Sequence, residues 1–101
     1  MNDTESTYLS FTEVCLQTGV AKDTVFEIVE HGIIEPIGTA PDEWLFSPTM
    51  LTVTKKAVRL HRDLEVDWEG IALAIELLDE VEQLREQNLY LQRRLSRFVD
   101  M

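Results

Sequence analysis

Residues 10–46 read SFTEVCLQTGVAKDTVFEIVEHGIIEPIGTAPDEWLF, and this stretch carries the main signals of the fold class. Ser10 is followed three residues later by Glu13, which is the pattern of a capping box that opens a helix before an apolar run. Gly19 provides a left-handed stop for this short helix. A second helix is predicted to begin at about Lys22 and to end at a His-Gly pair. Two short helices joined by a tight turn predict a helix-turn-helix.

Two short apolar segments after the second helix predict a small β-hairpin wing. Residues 33–37 (IIEPI) predict one strand, and residues 44–46 (WLF) predict its partner. Residues 38–43 contain glycine and proline and form the predicted tip between the two strands. The helix pair and the wing together predict a mainly α-helical, winged helix-turn-helix domain.

Two further helices are predicted after the wing. Ser47 and Pro48 place a capping hydroxyl directly before a proline in the first helical position, and this third helix runs to about Leu64. Asp67 is positioned to cap a fourth helix, which is predicted to extend from residue 68 to about residue 98. The first part of that helix is apolar almost all round, which predicts burial on several sides.

The second part of the fourth helix carries a heptad stripe with spacings of four and three residues. Its members, the predicted dimerisation residues, are Leu77, Val81, Leu84, Asn88, Leu91, Leu95 and Phe98. Valine or asparagine at one core position and leucine at the other is typical of two-stranded coiled coils. A homodimer is the simplest interpretation, and folding of the stripe back onto the domain is the alternative. The local pattern favours parallel helices, but both orientations remain open.

The length of the chain fits one small domain with an appended helix. We predict a flexible N-terminus over residues 1–9, a winged-helix-like domain over residues 10–76 and a C-terminal coiled-coil helix over residues 77–101. The chain has no basic-then-apolar leader pattern and no run of 18 apolar residues, so a cytoplasmic location without membrane insertion is expected.

Acidic side chains dominate the composition. The 101 residues include 19 acids and nine bases, which gives a formal net charge of -10. Residues 1–54 hold nine of the acids and one base, whereas residues 55–69 are balanced. A surface of one sign attracts partners of the opposite sign and repels those of its own. The composition therefore favours cationic partners over nucleic acids.

The second helix carries this charge where a DNA-reading helix needs cations. Asp23, Glu27 and Glu30 share one face, although like charges at these spacings cost a few tenths of a kcal/mol per pair. Phosphate contacts supply most DNA affinity and require lysine or arginine. Trp44 is a candidate apolar anchor, whereas Trp68 is predicted to belong to the core. The predicted partner-binding residues are Asp23, Glu27, Glu30, Glu35, Asp42, Glu43 and Trp44.

Catalytic chemistry is not indicated. Cys15 is the single cysteine, so an intrachain disulfide and a cysteine-rich zinc site are excluded, and a buried structural thiol is predicted. His31 is placed to interact with the end of the second helix, and His61 is predicted to lie on the face of the third. No metal, phosphate-binding or nucleophile motif is present. We therefore predict a non-enzyme without catalytic residues, metal or cofactor.

Two basic clusters support an alternative, a DNA-binding transcriptional regulator. Their members are Lys55, Arg59 and Arg62 on the third helix and Arg93, Arg94 and Arg97 near the end of the fourth. The second cluster complements the helix dipole, and the first has local partners, for example Asp63 for Arg59. Neither cluster alternates with exposed aromatic residues, so nucleic-acid binding is the less favoured interpretation.

The order of these motifs resembles the MerR-like winged-helix family and, more narrowly, the CbpM-like chaperone modulators. The resemblance covers roughly residues 8–99 and rests on residues 11–15 (FTEVC), 19–20 (GV), 35–36 (EP), 44–46 (WLF), 57–60 (AVRL), 67–72 (DWEGIA) and 95–98 (LSRF). It implies inhibition of a DnaJ-type co-chaperone, CbpA, through binding of its J-domain, whose basic helix engages Hsp70. MerR-like regulators usually pair their long helices antiparallel. Residues 24–27 (TVFE) depart from the arginine that DNA-binding members carry there.

Overall fold

Four α-helices and one small sheet make up the part of the chain, residues 7–99, that the computed structural model describes. The helices are α1 (Phe11–Thr18), α2 (Lys22–Glu30), α3 (Pro48–Leu64) and α4 (Trp68–Val99). The strands are β1 (Leu9–Ser10) and β2 (Leu45–Phe46). The mainly α-helical, winged helix-turn-helix fold with a long C-terminal helix is confirmed.

The helix starts follow local capping chemistry. The Ser10 hydroxyl accepts a hydrogen bond from the Glu13 N–H (3.2 Å), and the Glu13 carboxylate accepts one from the Ser10 N–H (2.8 Å). This is the predicted capping box. Gly19 ends α1 with a φ of 73°, which is the left-handed conformation that glycine adopts without penalty.

The predicted caps of α3 and α4 are also confirmed. The Ser47 hydroxyl accepts from the N–H of Met50 at 3.1 Å, with proline in the first turn of α3. The Asp67 carboxylate accepts from the N–H of Gly70 at 2.9 Å and so caps α4. Each of these bonds satisfies a backbone donor that a helix start leaves without an intrahelical partner.

The sheet joins the start of the domain to the wing. β1 and β2 are antiparallel, and Leu9 lies opposite Phe46. The segment that we predicted as a flexible N-terminus therefore ends in a strand, and its residues 1–6 lie outside the described part of the chain. The pairing ties the first helix to the wing through the backbone.

The predicted hairpin is wrong in its first strand. Residues 33–37 form no strand; Ile37 alone makes an isolated bridge, exchanging backbone hydrogen bonds of 3.0 and 2.9 Å with Leu45. Pro36 has no N–H to donate and breaks the ladder. The tip contains one 3-10 turn, Pro41–Glu43.

The core lies where the helix-turn-helix packs on α3 and on the first turns of α4. Its buried apolar members are Val14, Val25, Ile28, Ile34, Phe46, Ala57, Trp68, Ile71 and Ile75. Thr54 is buried among them, and its hydroxyl donates to the carbonyl oxygen of Met50 at 2.7 Å. Val25 and Ile28 fix the inner side of α2, so the acidic positions of that helix face outward.

The first part of α4 is buried on one side only, which differs from the prediction. Trp68, Ile71 and Ile75 are buried, but Leu73 and Leu77 are more than half exposed. The apolar character of this segment therefore exceeds what the domain itself covers. The Cα radius of gyration is 17.8 Å, well above the roughly 13 Å of a compact 100-residue domain. The helix projects from the domain and does not fold back onto it.

Candidate partner-binding surface

The three acids of α2 are all exposed, and they form no ion pair with another described residue. Asp23, Glu27 and Glu30 lie on the side of α2 opposite to the buried pair Val25 and Ile28. Within residues 7–99, no lysine, arginine or histidine lies within ion-pair distance of these three carboxylates. Their charges are therefore available to an external cation.

Two further acids lie at the tip of the wing. Asp42 and Glu43 belong to the 3-10 turn and are exposed. The turn is closed by hydrogen bonds from the Glu43 N–H to Ala40 and from the Trp44 N–H to Pro41, at 2.9 and 3.3 Å. These bonds fix the direction in which the chain enters Trp44, and with it the position of the two carboxylates.

An aromatic cluster connects the wing to α2. Its members are Phe11, Phe26, Trp44 and Phe46. The Trp44 ring stacks on Phe11 and Phe26, with centroid distances of 5.5 and 5.8 Å and interplanar angles of 29° and 20°. Phe46 is fully buried and meets Trp44 edge-on at 6.2 Å, so it anchors the cluster in the core.

The Phe26–Trp44 contact joins α2 to the wing, and Asp23 and Glu30 lie three and four residues from Phe26 on the same side of α2. Glu43 directly precedes Trp44 in the wing, whereas Glu27 lines a recess together with His61 and Arg62 of α3. We call Asp23, Glu27, Glu30, Asp42 and Glu43, together with the exposed edges of the aromatic cluster, the acidic surface. Glu35 is exposed on the segment between α2 and the wing, and no described contact joins it to the cluster.

Sequence reasoning singled out Trp44 but missed Phe11 and Phe26 as parts of the same site. Phe26 is 38% exposed although its ring stacks on Trp44. Its position three residues after Asp23, on the outward side of α2, was the available signal. The partner of its ring lies in the wing, and local sequence spacing does not reveal that pairing.

The two histidines and Trp68 have structural contacts. The His31 Nδ1–H donates to the carbonyl oxygen of Glu27 at 2.8 Å, next to the end of α2. His61 stacks on Trp68 with a centroid distance of 3.9 Å and an angle of 4°. Trp68 is 7% exposed, as expected for a core residue. These contacts give both imidazole rings a structural role.

Cys15 is half-buried and packs against the core. Burial raises the pKa of its thiol, and the nearby positive charge of Lys22 opposes that shift in part. A raised pKa keeps the thiol protonated and poorly nucleophilic at neutral pH. In the described part of the chain, no three His, Cys, Asp or Glu side chains are grouped to hold a metal ion, and no helix is long and apolar enough to cross a membrane.

Comparison with known proteins places this fold in a family. The sequence matches the family described as MerR HTH family regulatory protein over residues 9–93. It is 50% identical to the chaperone modulatory protein CbpM of a Pseudomonas putida strain over 101 residues, which is 100% of both chains. The chain belongs to the CbpM family. Identity to the CbpM of Pseudomonas entomophila is 48% over the full length of both, and to that of an Escherichia coli strain 41% over 89% of each.

In this member of the CbpM family the basic side chains other than Lys22 lie on α3 and α4, and Arg62 of α3 lines one recess together with Glu27 of the acidic surface. Lys55, Arg59 and Arg62 are exposed on α3. Asp63 pairs with Arg62, at 3.5 Å, and not with Arg59 as predicted, so Arg59 keeps its charge free within the described residues. Near the end of α4, Arg94 donates to the Tyr90 hydroxyl at 3.0 Å.

The heptad stripe of this CbpM-family chain is open to solvent along α4. Its apolar members are between 42% (Val81) and 72% (Phe98) exposed, and Asn88 is exposed as well. At 3.6 residues per turn, the stripe lies on the side of α4 opposite to Ile71 and Ile75, which face the core. The domain therefore cannot cover it in this arrangement.

Proposed function

We propose that this protein modulates a DnaJ-type co-chaperone by binding the basic face of its J-domain through the acidic surface. The bound module then blocks access of Hsp70 to the same face. The names of its close relatives, chaperone modulatory proteins, support the general role. The observation that carries the proposal is the set of carboxylates on α2 and the wing tip, which are unpaired within residues 7–99 and lie on the two elements that the partly exposed Phe26–Trp44 stack joins.

The physical argument divides recognition between two kinds of side chain. Unpaired surface carboxylates mainly raise the rate of association with a cationic partner and select it by charge. Net affinity requires desolvated anchors, and tryptophan is among the residues most enriched at binding hot spots. Trp44, half-buried and stacked on Phe11 and Phe26, is such an anchor within the acidic surface.

Charge reversal on α2 tests the proposal. Glu27→Lys combined with Glu30→Lys is expected to slow association with a purified J-domain at least tenfold, because the reversal replaces steering by repulsion. The matched control is Glu82→Lys combined with Glu86→Lys, which changes the net charge equally on the side of α4 away from the stripe. Stopped-flow or biolayer kinetics give the two rates. Equal association rates for the two variants would show that another surface makes the contact.

The helix-turn-helix framework and the exposed cations of α3 favour a second candidate, a DNA-binding regulator. Lys55 and Arg59 are exposed and outside any described ion pair. Against this candidate, α2 presents one lysine and three acids, so the helix that reads DNA in such folds would repel phosphate. A gel shift with duplex DNA at low salt distinguishes the two functions.

We also infer that the protein acts as a homodimer that is held together by the α4 stripe. Large exposed apolar patches on soluble proteins mark interaction sites, and a two-stranded heptad pattern identifies a second copy as the simplest partner. An isolated helix of this kind gains most of its stability from packing. Dimerisation would present two copies of the acidic surface.

A further inference from the structure

Lys22 holds a cation against the aromatic cluster from within the chain. Its Nζ lies 5.9 Å from the centroid of the Phe11 ring, a distance at which a ring attracts an ammonium group. The two side chains share one open recess, whose lining also includes Ser10, Thr12, Pro41 and Asp42. The face of Phe11 is thus a cation-binding position with a carboxylate from the wing tip beside it.

Helix stability does not explain the placement of Lys22. It is the first residue of α2, where the positive end of the helix dipole disfavours a cation. Within residues 7–99 no carboxylate lies within ion-pair distance of its Nζ. The Phe11 ring is the one partner that the described contacts give this ammonium. A lysine at this position reduces the negative charge of the acidic surface and occupies the face of the Phe11 ring.

We propose that Phe11, with Trp44 stacked on it, forms a platform for an arginine or lysine side chain of the basic partner, and that Lys22 is an internal competitor for that platform. The identity of the partner rests on the function proposed above. When the partner binds, its side chain takes the position over Phe11, and the Lys22 ammonium moves into solvent. A planar guanidinium is favoured over an ammonium because it stacks on aromatic faces.

The competitor sets the affinity of the site. Displacing Lys22 costs the partner about one exposed cation–π contact, so the site binds roughly two- to fivefold more weakly than it would without this lysine. The same displacement makes binding selective, because a neutral partner side chain gains nothing at the platform. Lys22 is therefore a specificity-determining residue that does not itself hold the partner.

Lys22→Gln tests the proposal with Lys55→Gln as its control. Both changes remove one positive charge, but Lys55 is exposed on α3 and makes no described contact with the cluster. Calorimetry at fixed ionic strength with a J-domain, and separately with an arginine octapeptide, measures affinity. Lys22→Gln is expected to tighten binding two- to fivefold more than Lys55→Gln. Equal effects of the two variants would overturn the proposal.

A spectroscopic measurement on the unmutated protein gives an independent test. Ring current from Phe11 is expected to shift the Lys22 side-chain methylene protons upfield in the free protein. Addition of the arginine octapeptide should return them to ordinary lysine values. Unchanged shifts at saturation would contradict displacement. If the J-domain does not bind the unmutated protein, the proposed function is wrong, and the peptide titration decides the platform by itself.

Discussion

The thiol of Cys15 shows how a single side chain reports on its surroundings. Burial raises the pKa of this thiol, whereas the charge of Lys22 acts in the opposite direction. Since Lys22 also lies over Phe11, the thiol sits next to the proposed platform without being part of it. The pH at which Cys15 reacts is therefore a probe of the local electrostatics of α1 and α2.

Alkylation of Cys15 is expected to accelerate at a higher pH than alkylation of a cysteine in an unstructured peptide. Lys22→Gln should move the midpoint further upward, because it removes the charge that favours the thiolate. The same raised pKa makes the folding stability depend on pH. As pH rises, the thiol ionises in the unfolded chain before it ionises in the folded protein. Its stabilising contribution is therefore complete below the ordinary thiol pKa and is lost as pH rises through the pKa of the folded state. Iodoacetamide rates against pH measure both midpoints, and a midpoint at or below that of the peptide would contradict the burial argument.

At the scale of elements, the wing depends on contacts that cross long stretches of sequence. β2 pairs with β1 at the start of the domain, and its Trp44 neighbour stacks on a phenylalanine of α2. The aromatic contacts are each worth roughly 0.5–1.5 kcal/mol beyond burial. The wing is thus fixed by aromatic packing more than by its two-residue strands.

Phe26→Ala is expected to weaken J-domain binding by about five- to thirtyfold, because truncation of an interface residue of this kind costs roughly 1–2 kcal/mol of binding free energy. The loss in folding stability should be smaller than for a buried phenylalanine, because the ring is 38% exposed. Calorimetry and urea unfolding separate the two effects. Leu16→Ala is the control, since this side chain is 78% exposed on α1 and belongs to no described aromatic contact. A Phe26 variant with unchanged affinity would remove the aromatic cluster from the interface.

The elements differ in how far local sequence determines them. Ser10 with Glu13, Ser47 and Asp67 specify helix starts through hydrogen bonds that span three residues, and these starts were predicted correctly. The pairing of β1 with β2 was not predicted, because Leu9 and Phe46 are 37 positions apart in the sequence. Acidic positions on α2 follow from helix periodicity, whereas the Phe26–Trp44 contact that connects them to the wing is a tertiary feature.

At the scale of the whole molecule, α4 connects the part of the chain that is buried in the domain to a part that the domain leaves exposed. The domain buries Trp68, Ile71 and Ile75, and beyond residue 75 no described residue of α4 is buried. Heptad spacing predicted the stripe, but it did not predict how little of the preceding segment the domain would cover. The uncovered leucines extend the apolar surface toward the domain.

Leu84→Asp combined with Leu91→Asp is expected to convert the dimer into monomers, because each buried leucine contributes roughly 1.5–3 kcal/mol and a charge in its place remains unpaired. Light scattering after size exclusion gives the mass. Leu89→Asp is the control, because Leu89 is a similarly exposed leucine (48%) outside the stripe. A dimer that survives the double substitution, or a monomer in the unmutated protein at micromolar concentration, would show that the stripe has another use.

We propose that a helix-turn-helix framework carries an acidic surface that binds a cationic protein. The most direct measurement titrates the purified, unmutated protein with a J-domain and with duplex DNA over a series of salt concentrations. Binding of the J-domain should weaken as salt screens the charges, whose interactions already decay within about 8 Å at physiological ionic strength, and DNA should not bind at any salt concentration. Binding of duplex DNA without binding of the J-domain would contradict the claim.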